Sequence, residues 1–200
     1  MILYYSPQTR AFPVLWTLEE LGVEYELKII DLKLGAQKKG EYRRLNPMMK
    51  VPTLTDGHVV VTETGAILQY IAEKSPSPCL LPQIGDTTRP TCLRWLFFVG
   101  SNLEPAMGKR FNGWTPNPYY NGWGDFDRVR DVIAEILSVG PWLLGGRFSI
   151  ADIYLASDLR IARAGELIAA DIEPFASYLH RIGSRPAFLR AMKIDSDLAS

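Results

Sequence analysis

The chain has 200 residues, 47% apolar and 22% charged, with 22 Lys and Arg set against 22 Asp and Glu. That balance removes the overall attraction a nucleic-acid binder would carry, and no apolar run approaches the roughly 20 residues of a membrane span. Met1-Ile-Leu-Tyr-Tyr has neither the basic region nor the apolar stretch of a secretory signal, so a cytoplasmic protein with no nucleic-acid and no membrane partner is expected.

Residues 1–74 alternate between strand and helix patterns. Ile2-Leu3-Tyr4-Tyr5 is a short apolar run closed by Ser6-Pro7 and predicts a buried strand. Val14, Leu15, Leu18 and Leu21 follow at helical spacing, with Gly22 where a helix end accepts positive φ. Tyr25, Leu27 and Ile29 alternate with Glu26 and Lys28, which predicts a second strand, parallel to the first through a βαβ crossover. Lys33–Arg44 is polar and predicts a short helix or a loop. Val51-Pro-Thr-Leu-Thr and His58-Val-Val-Val-Thr flank Asp56-Gly57, a hairpin signal, and Ala66, Ile67, Tyr70 and Ile71 then mark a helix.

Residues 75–86 hold three prolines and predict a linker. Strand signals then vanish. Helices are expected around Leu93–Gly100, with Pro90 in the first turn, and at 125–137, 150–164, 175–182 and 186–192. The fold class is therefore α/β plus all-α, with domains at 1–76 and 87–200 and a linker at 77–86. Cys79 and Cys92 are far from CxxC spacing and are expected as free thiols. His58 and His180 have no partners at ligand spacing, so no metal is expected.

Three segments carry chemistry. Pro52 precedes a strand, where a residue without an N–H belongs. In a cis Val51–Pro52 bond, the Val51 N–H and C=O turn outward to pair with a peptide ligand; a trans strand-start proline is the other reading. In Thr62-Glu63-Thr64-Gly65, a carboxylate and a hydroxyl meet a helix N-terminus, whose unbonded N–H groups favour an anion. Glu63 would take an ammonium and Thr64 the neighbouring carboxylate, unless Thr62 or Thr64 simply caps the helix. In Tyr5-Ser6-Pro7-Gln8-Thr9-Arg10, a hydroxyl at the mouth of the first βα turn either stabilises a thiolate or caps the helix.

Together, Tyr4-Tyr-Ser-Pro, Leu18-Glu-Glu-Leu-Gly22, Asn46-Pro47 with Lys50-Val-Pro-Thr-Leu54, and Thr62-Glu-Thr-Gly-Ala-Ile67 resemble the N-terminal domain of cytosolic glutathione transferases in order and spacing. Phe148-Ser-Ile-Ala-Asp-Ile153 resembles that family's capping-box motif, so the likeness spans nearly the whole chain. It implies a thioredoxin-like domain that binds glutathione as co-substrate, a helical domain with an electrophile pocket, and a homodimer. Pro52 would be the cis-proline, and Val51 would pair with the cysteinyl backbone of glutathione. Glu63 and Thr64 would hold its γ-glutamyl end, and Lys50 with Gln37 or Lys38 would meet its glycyl carboxylate. Thr9 of Thr9-Arg10 would activate the thiol, with Ser6 and then Tyr5 as alternatives. The first loop has no cysteine, which favours the serine/threonine-like, bacterial type over the cysteine type. Met49 stands where many members have Gly. Trp95, Phe98, Phe111 and Trp114 are the candidate pocket rings. The implied reaction is attack of the glutathione thiolate on a small apolar electrophile. A glutathione-dependent isomerase or dehalogenase, or a non-catalytic relative, is the alternative.

Overall fold

A computed structural model describes residues 1–75, 80–115, 117 and 119–199. Residues 77–79 of the expected linker, Cys79 among them, lie outside the described residues, as do Pro116 and Pro118 of the aromatic stretch. The chain divides into two compact units, Met1–Pro78 with Arg185–Ser200, and Cys79–Ser184.

The first unit is built on a four-stranded mixed sheet in the order β2-β1-β3-β4. β1 (Ile2–Tyr5) pairs in parallel with β2 (Glu26–Ile29), Ile2 opposite Glu26 and Tyr5 opposite Ile29. β3 (Thr53–Asp56) runs antiparallel to β1 and to β4 (Val59–Thr62), with Gly57 at φ +59° in the hairpin turn. The expected βαβ-ββα order is present. Helix α1 (Phe12–Leu21) joins β1 to β2 and ends at left-handed Gly22, whose N–H returns to the Leu18 carbonyl. α2 (Gly40–Leu45) and α3 (Thr64–Lys74) complete the domain.

Strand alternation sends Leu3 and Tyr5 to one face of the sheet and Tyr4 to the other. Tyr4 packs with Ile30 and Tyr42, the Tyr4 and Tyr42 rings 5.5 Å apart, and Val51 and Ala36 lie against that cluster. Leu3 and Tyr5 are buried, as are Val14, Leu15 and Leu18 of α1 and Ile67, Leu68 and Ile71 of α3. Both faces are thus covered, the thioredoxin-like arrangement.

The last helix, α9 (Pro186–Ala199), sides with this unit rather than with the helical half, where the boundary at 87–200 put it. Phe188 makes edge contacts with Trp16 at 5.0 Å and Phe12 at 5.9 Å. Arg185 forks onto Glu20 at 2.6 and 2.8 Å, and Arg190 reaches Glu19 at 2.8 Å. This match of shape and charge to α1 has no signature within residues 186–192 themselves.

The second unit is helical: α4 (Arg89–Phe98), α5 (Glu104–Phe111), α6 (Phe126–Val139), α7 (Ile150–Ala164) and α8 (Phe175–Gly183). A π-helical turn, Val99–Leu103, links α4 to α5 just before Pro105, whose missing N–H interrupts the regular ladder. The expected capping box forms at α7. Asp152 Oδ2 accepts from the Ser149 N–H at 3.0 Å and from its hydroxyl at 2.9 Å. Oδ1 accepts from the Leu143 N–H at 2.9 Å and the Tyr178 hydroxyl at 3.2 Å. Burial pushes the Asp152 carboxyl up to about 6 despite these bonds. Among the described residues no helix is long and apolar enough to cross a membrane.

Candidate functional site

The Val51–Pro52 bond is cis. The loop that leads to it is built by buried Asn46. Its Oδ1 accepts the Met48 N–H at 3.0 Å, and its Nδ2 donates to the Lys50 carbonyl at 2.9 Å and to Thr53 Oγ1 at 3.1 Å. The Tyr42 hydroxyl donates to the same Lys50 carbonyl and lies 2.9 Å from Thr53 Oγ1. Burial raises the Tyr42 pKa, which keeps the phenol a donor. With the Lys50 carbonyl held inward, the Val51 N–H and C=O take no hydrogen bond among the described residues. Met49 sits at φ +56°, in the left-handed region, which accounts for glycine being common at that point of the motif. Lys50 is exposed, and Gln37, in the 3₁₀ turn Ala36–Lys38, buries Oε1 with no hydrogen-bond partner among the described residues. Asn46-Pro47 belongs to the motif in the sequence, but the joint work of Asn46, Tyr42 and Thr53 is visible only in the fold. The signal available was a buried-type Asn ahead of Pro at a turn.

Glu63 is exposed and takes φ +67° and ψ +121° as the residue before α3. Such a backbone state in a non-glycine residue is costly and gathers at ligand sites. No side chain caps α3, so the Thr64, Gly65 and Ala66 N–H groups lack helical partners. The plain-cap reading of Thr62 and Thr64 does not hold. The Thr64 hydroxyl instead reaches the Arg10 carbonyl at 3.4 Å, which sets the first loop beside the α3 N-terminus.

In that first loop the Thr9 hydroxyl donates to the Ser6 carbonyl at 2.6 Å and accepts from the Ala11 N–H at 3.2 Å. It is half-buried, and Arg10 is exposed. Ser6 is buried, and its hydroxyl takes no hydrogen bond among the described residues. Tyr5 is fully buried and its hydroxyl donates to Asp195 of α9. Asp195 also accepts the Gln8 N–H at 2.9 Å, a role nothing in the local sequence announces.

The four candidate pocket rings do not gather in one place. Trp95 and Phe98 are edge-packed at 5.1 Å under the Arg94 guanidinium, 4.3 Å above the Trp95 ring. Phe111 lies sixteen residues further along the helical run, about 24 Å of axis at 1.5 Å per residue. It abuts Gly165, where an added Cβ would fall 2.3 Å from the Phe111 ring. Trp114 is 65% exposed. Cys92 is fully buried, and burial pushes its thiol up and away from thiolate. His58 and His180 are exposed, and among the described residues no cluster of His, Cys, Asp and Glu is arranged to hold a metal.

Residues 1–73 match the family described as "Glutathione S-transferase, N-terminal domain". The chain is 30% identical over 198 residues to glutathione S-transferase GstA of Escherichia coli O157:H7, with 98% of each chain covered. It is 30% identical over 203 residues to disulfide-bond oxidoreductase YfcG of Escherichia coli strain K12, with 95% of this chain and 93% of that one covered. Among solved structures it is similar to BphK, a bacterial GST in a ternary complex, with a TM-score of 0.83, 32% identity, and 98% and 100% of the two chains covered. On a likeness that runs from end to end of both chains, this protein belongs to the glutathione S-transferase family.

Proposed function

We propose that the protein binds glutathione on its first unit and catalyses attack of the glutathione thiolate on a small apolar electrophile. The observation that carries the reading is the Val51 peptide beside the cis bond, whose N–H and C=O take no hydrogen bond among the described residues, at the end of a loop braced by Asn46 and Tyr42. An extended peptide adds to such a backbone by strand pairing. The cysteinyl residue of glutathione pairs there. Glu63 takes the γ-glutamyl ammonium, and Thr64 with the uncapped α3 N–H groups takes the neighbouring carboxylate. Lys50, Gln37 and Arg10 serve the glycyl carboxylate and the outer rim.

Thr9 is the hydroxyl proposed to activate the thiol. Its accessibility exceeds that of Ser6, and the Tyr5 proton is committed to Asp195. A hydroxyl rotates freely about its bond. A thiolate, being charged, is a stronger acceptor than the Ser6 carbonyl and draws the Thr9 proton to itself. The thiol proton leaves to solvent, and the sulfur lone pair then forms the bond to carbon. As it does so, the carbon–halogen or epoxide carbon–oxygen bond breaks and its pair leaves on halide or alkoxide, or the enone π pair shifts to its oxygen. The alkoxide or enolate takes a proton from solvent. Phe111 and Trp114, the more exposed rings of the four, are proposed to meet the electrophile, while Trp95 and Phe98 are occupied with each other. A homodimer in the cytoplasm completes the reading.

The test is thiolate absorbance of bound glutathione across pH, with a panel of halide, epoxide and enone substrates. Wild type should lower the thiol pKa from roughly 8.5 and turn over at least one electrophile. Thr9→Val should restore the free-thiol titration with affinity nearly intact, and Ser6→Ala should do less. A wild-type Thr9→Val titration beside a lost one in Ser6→Ala moves the role to Ser6. The engaged Thr9 proton also fits a second reading, a glutathione-binding relative without turnover; binding with no thiolate signal would establish it.

A further inference from the structure

We infer that Asp195, on the last helix, is a positioning residue for the thiol-activating loop; this inference rests on the transferase reading above. One carboxylate oxygen collects two donors from the start of the chain. The Tyr5 hydroxyl ends β1, and the Gln8 N–H lies 2.9 Å away inside the loop. Gln8 is at φ +57°, a left-handed state that a non-glycine residue holds only when its surroundings impose it. The Asp195 bond to its N–H is such an imposition. Thr9 is the next residue, and its hydroxyl position follows from the Gln8 turn through three short links. It donates to Ser6 at 2.6 Å, its oxygen accepts from Ala11 at 3.2 Å, and its carbonyl accepts the Phe12 N–H at 3.1 Å.

Asp195 is itself buried and firmly carried. Four turns of α9 are docked on α1 through Phe188 between Phe12 and Trp16 and through the Arg185–Glu20 fork. The helix-to-loop bond spans 187 positions of sequence, so the chain terminus and the first loop act as one body. A charged acceptor holds a backbone N–H about twice as strongly as a neutral one. Replacing the carboxylate with an amide weakens the hold, and removing it releases the turn.

The test uses the full chain with glutathione as probe. Wild type, Asp195→Asn, Asp195→Ala and Phe188→Leu are compared by thiolate titration, glutathione calorimetry, amide exchange of residues 8–11 and thermal melting. In Asp195→Ala the amides of the loop should exchange at least about tenfold faster, and the bound thiol pKa should rise by about one unit, a tenfold loss of thiolate at fixed pH. Glutathione affinity should stay within about threefold, because Val51, Glu63 and Thr64 are untouched. Asp195→Asn should fall between, which keeps the test open should the alanine variant fold poorly. Phe188→Leu should lower the melting point and leave the thiol pKa alone, separating positioning from general support of α9. An unchanged thiol pKa in both Asp195 variants, or an equal rise in Phe188→Leu, overturns the inference while the transferase reading stands. A wild-type protein that does not lower the thiol pKa overturns both.

Discussion

Replacing Asp152 with alanine tests the helical unit at its most connected buried polar group. The carboxylate is fully buried and accepts from the Ser149 N–H, the Ser149 hydroxyl, the Leu143 N–H and the Tyr178 hydroxyl. The Ser149 hydroxyl can turn elsewhere, and the Tyr178 hydroxyl keeps the Asp152 carbonyl as acceptor at 3.1 Å. That leaves two stranded donors, the Ser149 and Leu143 N–H groups, each costing about 1–3 kcal/mol when buried and unpaired. Against that stands relief of a buried charge. The carboxyl is pushed from 3.8 up to about 6 by burial, and two units correspond to about 3 kcal/mol at neutral pH. The net expected loss is about 1 kcal/mol and at most about 3 kcal/mol, comparable to the about 0.5–2 kcal/mol of an isolated helix cap. Urea denaturation at neutral pH measures it, as a lower midpoint with an unchanged slope. Glutathione affinity per folded molecule should hold, since every partner of Asp152 belongs to the helical unit. A gain in stability at neutral pH would refute the account of stranded donors.

The same residue sets a pH dependence. Its folded pKa is raised, so its contribution to stability is complete below the unfolded value of 3.8 and is lost as pH rises through about 6. Relative to Asp152→Asn, wild type should lose about 2 kcal/mol between pH 4.5 and 7.5; a gain over that range would mean that the hydrogen bonds outweigh burial. Glu63→Gln should weaken glutathione binding by about 10- to 150-fold, the equivalent of one charge-assisted bond of about 1.5–3 kcal/mol, and equal affinity by calorimetry would remove Glu63 from the site. Met49→Gly relieves a left-handed residue at φ +56°, a conformation that costs roughly 1–2 kcal/mol in other residues. Part of that gain is returned to the more flexible unfolded chain, so the melting point should hold or rise slightly, and a clear fall would show that the half-buried Met49 side chain matters more than its backbone.

What the sequence determined by itself was local. The strand and helix alternation of residues 1–74, the Asp56-Gly57 hairpin, the Gly22 helix end and the Ser149–Asp152 box are each set by neighbours a few positions apart, where periodicity, turn chemistry and capping operate. The order of Val51-Pro52 and Glu63-Thr64 was likewise enough to point to a peptide with a charged amino-acid end. What only the tertiary structure decided were the long-range partners. Asp195 on the Tyr5 hydroxyl and the Gln8 N–H, α9 on α1 rather than within the helical half, Tyr178 and Leu143 on Asp152, and the separation of Phe111 from Trp95 all depend on which elements meet. A carboxylate in an amphipathic helix has the same local pattern whether it faces water or a buried phenol. Packing alone settles which, because burial and the supply of donors are properties of the assembled chain.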